Sequence, residues 1–186
     1  MKKEAEKITK IINSCKQGDR KAQKQLFETY SGRMLALCQR YTKNEQEAED
    51  LLIEGFIKIF ENIKNYKEVG LFEFWIKRII INTCIDYYNK NNKYEFISMD
   101  NNTSEESFII PSQYRFSEED IMNSLKTIPN TLRVTFNLSV IDGYSNKEIA
   151  DIMNTTTDTV KNNIYRAKKS LKELLLLKEN EKGSRI

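Results

Sequence analysis

Apolar residues recur at three- and four-residue spacing along almost the whole chain, and the pattern stops once, across residues 96–118. That spacing is the signature of helices with one buried face. Six glycines and two prolines in 186 residues leave few places for those helices to end. The interrupted stretch reads FISMDNNTSEESFIIPSQYRFSE, is rich in Asn, Ser and Glu, and contains Pro111. A segment of that composition between two periodic blocks is a natural linker. The expected fold is all-α, with two small helical domains joined by a flexible acidic linker. The expected boundaries are a first domain over 1–93, the linker over 94–120, a second domain over 121–178, and a tail over 179–186.

Charge follows the same division. The chain holds 30 Lys and Arg against 27 Asp and Glu, a net of +3. Residues 1–93 carry 18 basic and 13 acidic groups, residues 94–120 one and seven, and residues 121–186 eleven and seven. The net charges are +5, −6 and +4. Two basic blocks around an acidic spacer suit a polyanionic partner that the spacer avoids.

The composition also narrows the chemistry. With no histidine there is no Ser-His-Asp triad, no Cys-His nucleophile pair and no His-ligated metal. Cys15, Cys38 and Cys84 are too few and too scattered for a zinc site or a disulfide framework, and read as reduced, buried thiols. Neither GxGxxG nor GxxxxGK[ST] occurs. Glu49 and Asp50 are the best carboxylate pair, but neighbours in a helix do not face each other. No catalytic residue, metal or cofactor is expected. The N-terminal MKKEAEKITK has no apolar core of a signal peptide, and no apolar run approaches the ~20 residues of a membrane span. A cytoplasmic protein without membrane insertion is expected.

In the first block, Gly18 and Asp19 read as a break and an N-cap for a helix from Arg20 to Tyr30, with Met34, Leu35, Leu37, Cys38 and Tyr41 continuing the apolar face. From Glu47 to Ile63, Ala48, Leu52, Phe56, Ile59, Phe60 and Ile63 form a stripe. A second face shows Glu47, Asp50, Glu54 and Glu61, suited to docking on a basic helix. A loop over 64–70 leads to a helix from about Phe72 to Lys93. Its expected core face holds Trp75, Ile76, Ile79, Ile80, Thr83, Cys84 and Tyr87. Its polar face holds Arg78, Asn82, Asp86, Asn89 and Lys93. Cations and amides beside Tyr66, Phe72, Phe74 and Trp75 suit single-stranded nucleic acid, where cations track phosphates and aromatics stack on bases.

The second block has sharper punctuation. Pro129 suits the first turn of a helix to about Ile141, with Leu132, Phe136 and Val140 inward, and Gly143 suits its C′ position. Ser145 and Glu148 make a capping box for a short helix, Asn146 to Met153, with Ile149 and Ala150 inward. Asn154 can take the left-handed turn, and Thr155 or Thr156 caps a helix from Thr157 to about Leu177, with Val160, Ile164, Ala167 and Leu171 inward. A short helix, a tight turn and a longer basic helix make a helix-turn-helix. The outward positions Thr159, Lys161, Asn162, Tyr165 and Arg166 would meet base edges in the major groove, where Arg forks onto guanine and Asn onto adenine. Lys168, Lys169 and Lys172 would meet phosphates.

Taken in order, these strings resemble the small bacterial RNA polymerase sigma factors of the extracytoplasmic-function type. The first block resembles the family's region 2 through GDRKAQKQLFETY, AEDLLIEGF and the run from Trp75 through Ile79 and Asn82 to Asp86. The second resembles region 4 through IPNTLR, YSNKEIA and TVKNNIYRAKKSL. The resemblance spans about residues 8–175. It implies core RNA polymerase (clamp coiled coil and flap) and promoter DNA, both double- and single-stranded, as partners, with an anti-sigma protein besides. It implies −35 readout by Lys161, Asn162, Tyr165 and Arg166. Core binding is implied for the helix bearing Glu47, Asp50, Leu51, Glu54 and Phe56. Capture of an unpaired −10 base is implied for the 64–71 loop, with Lys64, Tyr66 and Lys67, together with Arg78 and Asn82. Three positions depart from the family pattern: Ile53 where Gln is usual, Asn89 where Arg is usual, and Asn154 where Gly is usual in the turn. A free-standing helix-turn-helix regulator would account for residues 129–175 and leave 20–93 without a role.

Overall fold

The computed structural model describes residues 2–67, 71–91 and 116–183. The acidic linker with Pro111 and Phe108 to Ile110, the loop tip at 68–70, Lys93 and the last three residues lie outside the described residues. Eight α-helices and no strand occur among the described residues, in two compact units, Met1–Asn91 and Asn92–Ile186. No helix among them is long and apolar enough to cross a membrane.

The first unit holds α1 (Lys2–Lys16), α2 (Arg20–Tyr41), α3 (Glu45–Asn62) and α4 (Phe72–Asn91). Gly18 has φ 83°, a left-handed conformation that glycine adopts without strain, and it ends α1. Asp19 then caps α2, its carboxylate accepting from the backbone N–H groups of Lys21 and Ala22 at 2.8 and 3.3 Å. α2 is one unbroken helix to Tyr41, longer than the Arg20–Tyr30 segment expected: Gly32 lies within it without a left-handed φ, and Met34, Leu37, Cys38 and Tyr41 carry the buried face through. Leu26, Cys38, Ala48, Ile59, Ile76 and Ile80 fill the centre where α2, α3 and α4 meet. A 3₁₀ turn, Ile63–Asn65, closes α3.

The core face of α4 is rotated from the one expected. Phe72, Ile76, Ile80, Ile81, Thr83, Cys84, Ile85 and Tyr88 are buried, while Trp75, Ile79 and Tyr87 are half-buried. The helix is apolar around much of its circumference, so periodicity alone could not fix the angle of its buried face. All three thiols are free and buried, and burial, reinforced by the charge of Asp19, pushes Cys15 up to about 11.

In the second unit, α5 (Glu118–Thr127) starts within the stretch assigned to the linker, under a capping box in which Ser117 and Asp120 exchange hydrogen bonds. α6 (Asn130–Phe136) follows, with Pro129 as its N-cap residue and not within its first turn. A π turn, Asn137–Ile141, then replaces the α-helix expected to reach Ile141. The wider turn shifts the register by one residue, so Leu138 is buried and Val140, expected inward, is exposed. Gly143 (φ 77°) closes the segment. α7 (Asn146–Ile152) and α8 (Thr157–Gly183) complete the unit, α8 running past the expected end near Leu177. Leu125, Ile128, Leu132, Ala167 and Leu171 form one apolar cluster, where α5 and α6 pack on α8. Arg133 is also buried, and its Nη2 donates to Asn130 Oδ1 at 2.6 Å.

Candidate nucleic-acid and partner-binding faces

In the second unit the sequence sets a helix-turn-helix residue by residue. Ser145 Oγ accepts from Glu148 N–H at 3.3 Å, and Glu148 Oε2 accepts from Ser145 N–H at 2.8 Å. Two orphan donors at the start of α7 are thereby satisfied. Asn154 sits at φ 49°, and Thr155 N–H donates to Ala150 O at 2.9 Å, which reverses the chain. Thr156 Oγ1 accepts from Thr159 N–H at 3.1 Å and starts α8. Ile149, Ala150 and Val160 lock α7 against α8.

That frame leaves the first turns of α8 as a graded polar face. Lys161, Lys168 and Lys169 are exposed, while Thr159, Asn162, Tyr165, Arg166 and Lys172 are half-buried. Lys161 Nζ pairs with Asp158 Oδ1 at 3.1 Å across an exposed turn. Thr159 is less available than its outward position implied, since its hydroxyl lies 2.9 Å from that of Thr156. Ile164, expected inward, is half-buried, and Asn163 takes the buried place beside it.

In the first unit the acidic face of α3 is real but differently furnished. Asp50 and Glu54 are exposed and Glu47 is half-buried, accepting from Lys43 N–H at 3.4 Å. Leu51 and Phe56 are 2% and 3% exposed, so neither side chain can meet a partner directly. Phe56 instead packs edge-on against Phe27, with ring centroids 4.7 Å apart. The apolar groups on the surface are Ile53 and Ile57, 54% and 53% exposed. They sit one helical turn apart beside Asp50 and Glu54. Glu54 Oε1 lies 2.9 Å from Lys58 Nζ, which also reaches Asp86 Oδ2 of α4 at 3.2 Å. Burial alone would lower the Lys58 amine, but hydrogen bonds and charge from Glu54 and Asp86 outweigh it and hold the ammonium above its ordinary value.

The face read for single-stranded DNA divides in two. Lys64, Lys67, Arg78 and Asn82 are exposed. Tyr66 is not: it is 7% exposed, with its ring 5.0 Å from Phe72, 5.2 Å from Trp75 and 5.6 Å below Lys16 Nζ. Its burial follows from the turn at Ile63–Asn65, which aims the following residue back at the bundle. Tyr66 and Phe72 thus pin the two ends of the loop together. Arg33 adds a second tie, 2.8 Å from Glu73 Oε2 and 5.1 Å from the Tyr30 ring. Leu71 and Phe74 are the large apolar groups left outside, a consequence of α4 beginning at Phe72 with that residue turned inward. Among the described residues no cluster of Cys, Asp or Glu could hold a metal ion.

Each unit matches its own family model. The family model Sigma-70 region 2 matches residues 26–94, and Sigma-70, region 4 matches residues 118–171. The ECF RNA polymerase sigma factor SigW of Bacillus subtilis is 28% identical over 180 residues, covering 90% of this chain and 96% of that protein. The ECF RNA polymerase sigma-E factor of Haemophilus influenzae is 25% identical over 181 residues, covering 90% and 95% respectively. Among solved structures, the sigma factor RpoE of Bartonella quintana, in complex with the anti-sigma factor NepR, aligns with a TM-score of 0.50 at 21% identity. That alignment covers 82% of this chain and 95% of the other and bears on the fold alone.

Proposed function

The chain belongs to the extracytoplasmic-function family of RNA polymerase sigma factors, and from that premise we propose that it binds core RNA polymerase, reads a bipartite promoter and promotes its opening. The observation that carries this reading is the order of the two matches, region 2 on the first helical unit and region 4 on the second.

The α8 face reads the −35 element as duplex, with Lys161, Asn162, Tyr165 and Arg166 toward base edges and Lys168, Lys169 and Lys172 toward phosphates. Thr159 contributes through the cap that starts the helix. The α3 face, with Glu47, Asp50 and Glu54, docks on a basic helix of the polymerase clamp. Leu51 and Phe56 hold that face from behind. Lys64, Lys67, Arg78 and Asn82 receive the unpaired −10 strand, and Tyr66 anchors the loop they flank. The protein works in the cytoplasm and carries no catalytic group of its own, because the polymerase does the chemistry. An anti-sigma protein that covers these faces would hold it inactive, a reading supported by the Bartonella relative having been solved with such a partner.

Run-off transcription with core polymerase over a library of randomised promoters tests the reading. Selection of one −35 and one −10 consensus supports it, and no sigma-dependent transcript refutes it. Within that assay, Arg166→Ala is expected to weaken −35 duplex affinity by about 1–3 kcal/mol and relax one base position, as loss of a bidentate base contact does. Unchanged affinity in a gel-shift titration would remove Arg166 from the readers.

A further inference from the structure

We propose that Lys58 is a positioning residue that couples polymerase docking on α3 to capture of the unpaired strand on α4; this deepens the promoter-opening reading above and rests on it. Its ammonium is shared between the two faces. Nζ lies 2.9 Å from Glu54 Oε1 on the docking face and 3.2 Å from Asp86 Oδ2 on α4. Asp86 extends the exposed line of Arg78 and Asn82 by one more four-residue step. A carboxylate therefore stands at the end of a line that is to receive phosphates, and it repels them unless a cation covers it.

One cation set against two carboxylates leaves a net negative charge. When a basic helix of the polymerase takes over Glu54, the ammonium is left to Asp86 alone, and the charge that faces the strand is cancelled. Two sites, one shared group and a different pairing in each state make a coupling free energy. Linkage makes it reciprocal, so the captured strand strengthens docking by the same factor. The packing keeps the shared group in place. Lys58 follows one turn after Gly55, where α3 lies so close to α4 that a Cβ would overlap Ile80 Cδ1. The Lys58 side chain is 33% exposed, against 47% for Glu54 and 56% for Asp86, so both carboxylates stay open to partners while the cation sits between them. Hydrogen bonds to both acids outweigh burial and keep the ammonium charged.

The test measures binding of a fluorescein-labelled single-stranded oligonucleotide to the full chain alone and to holoenzyme at saturating core polymerase. The oligonucleotide carries the −10 sequence that wild-type holoenzyme selects. Lys58→Met is expected to weaken binding to holoenzyme about 2- to 5-fold, as loss of a partly exposed ion pair does, because Asp86 is then bare. Asp86→Asn is expected to tighten binding to the chain alone by a similar factor, because the repelling charge is gone. In both variants the gain in strand affinity that core polymerase confers should fall below that of wild type. The double variant should match Asp86→Asn. A tie that merely holds α3 to α4 predicts weaker binding in both single variants, since each breaks the same pair. Weaker binding in both, or no change in either, overturns the coupling while leaving the sigma function standing. A wild-type holoenzyme that selects no promoter overturns the function itself, and the coupling with it.

Discussion

Reversing both Asp50 and Glu54 to lysine is expected to weaken association with core polymerase by roughly 100-fold or more, because like charges set against each other across an interface cost several kcal/mol. The argument rests on where the charges sit. Both carboxylates are exposed on the face of α3 that also carries exposed Ile53 and Ile57. Folding should barely change. The Glu54–Lys58 pair is a partly exposed ion pair, of a kind worth about 0–1 kcal/mol, and the Lys58–Asp86 pair at 3.2 Å does not need Glu54. Asp50→Lys alone leaves the Lys58 pairs intact and is the cleaner single variant. The defect should shrink with added salt, since surface charges are screened over ~10 Å at 0.1 M. It should not vary with pH near neutrality. Lys58, held above its ordinary value by Glu54 and Asp86, keeps its pairing through neutrality while those carboxylates are ionised, and loses it on the alkaline side as pH rises through the raised value. No histidine is present to titrate nearer pH 7. Fluorescence titration of labelled protein with core polymerase gives the affinity, and far-ultraviolet circular dichroism checks the fold. Unaltered affinity in the double variant would sink the acidic face.

The parts of this fold that could be read from sequence are those set by local hydrogen-bond chemistry. Asp19, Ser145 with Glu148, Asn154, Thr156 and Gly143 each satisfy or reverse the backbone within a few residues, the first five through their side chains and Gly143 through its lack of one. The same logic was available at Ser117 and Asp120, where the capping box announces α5 inside a stretch whose composition reads as linker. What periodicity could not give is the angle of a helix that is apolar nearly all round. On α3 the stripe through Ala48, Leu52, Phe56 and Ile59 is buried as its spacing predicts, but Leu51 turns inward beside it while Ile53 and Ile57 turn outward. On α4, Phe72 is buried while Trp75 is only half-buried and Phe74 is bare. The deciding interactions are long-range, such as the Phe27–Phe56 edge contact and the Tyr66–Phe72 pair, and no spacing rule contains them. The π turn at Asn137–Ile141 is a similar case, since one extra residue per turn moves Val140 out of a stripe that its spacing had placed it in.

Gly55→Val is expected to destabilise the first unit by about 3 kcal/mol, the upper end of the range for overpacking a tight core. Gly55 is buried where α3 crosses α4, and a Cβ there would overlap Ile80 Cδ1, with Ile80 Cγ1 at 3.5 Å and the α4 backbone at Ile80 Cα 3.8 Å away. Ile80 is fully buried, so its methyl has no open side to move into. Absence of a side chain at 55 therefore sets the closeness of two helices whose outer faces carry Asp50 and Glu54 on one and Arg78 and Asn82 on the other. Ordinary helix preference acts the other way, since glycine in a helix interior is about 1 kcal/mol worse than alanine. The sign of Gly55→Ala consequently reports whether the overlap wins. In the native background it should destabilise. In an Ile80→Val background, which removes the overlapping Cδ1, the same change should be neutral or stabilising, with non-additivity of about 2 kcal/mol between the two sites. The chain's one tryptophan, Trp75, lies in this unit, so urea denaturation followed by its fluorescence reads the first unit without interference from the second. Additive effects of the two substitutions would show that the helices part freely at Gly55 and that their spacing is set elsewhere.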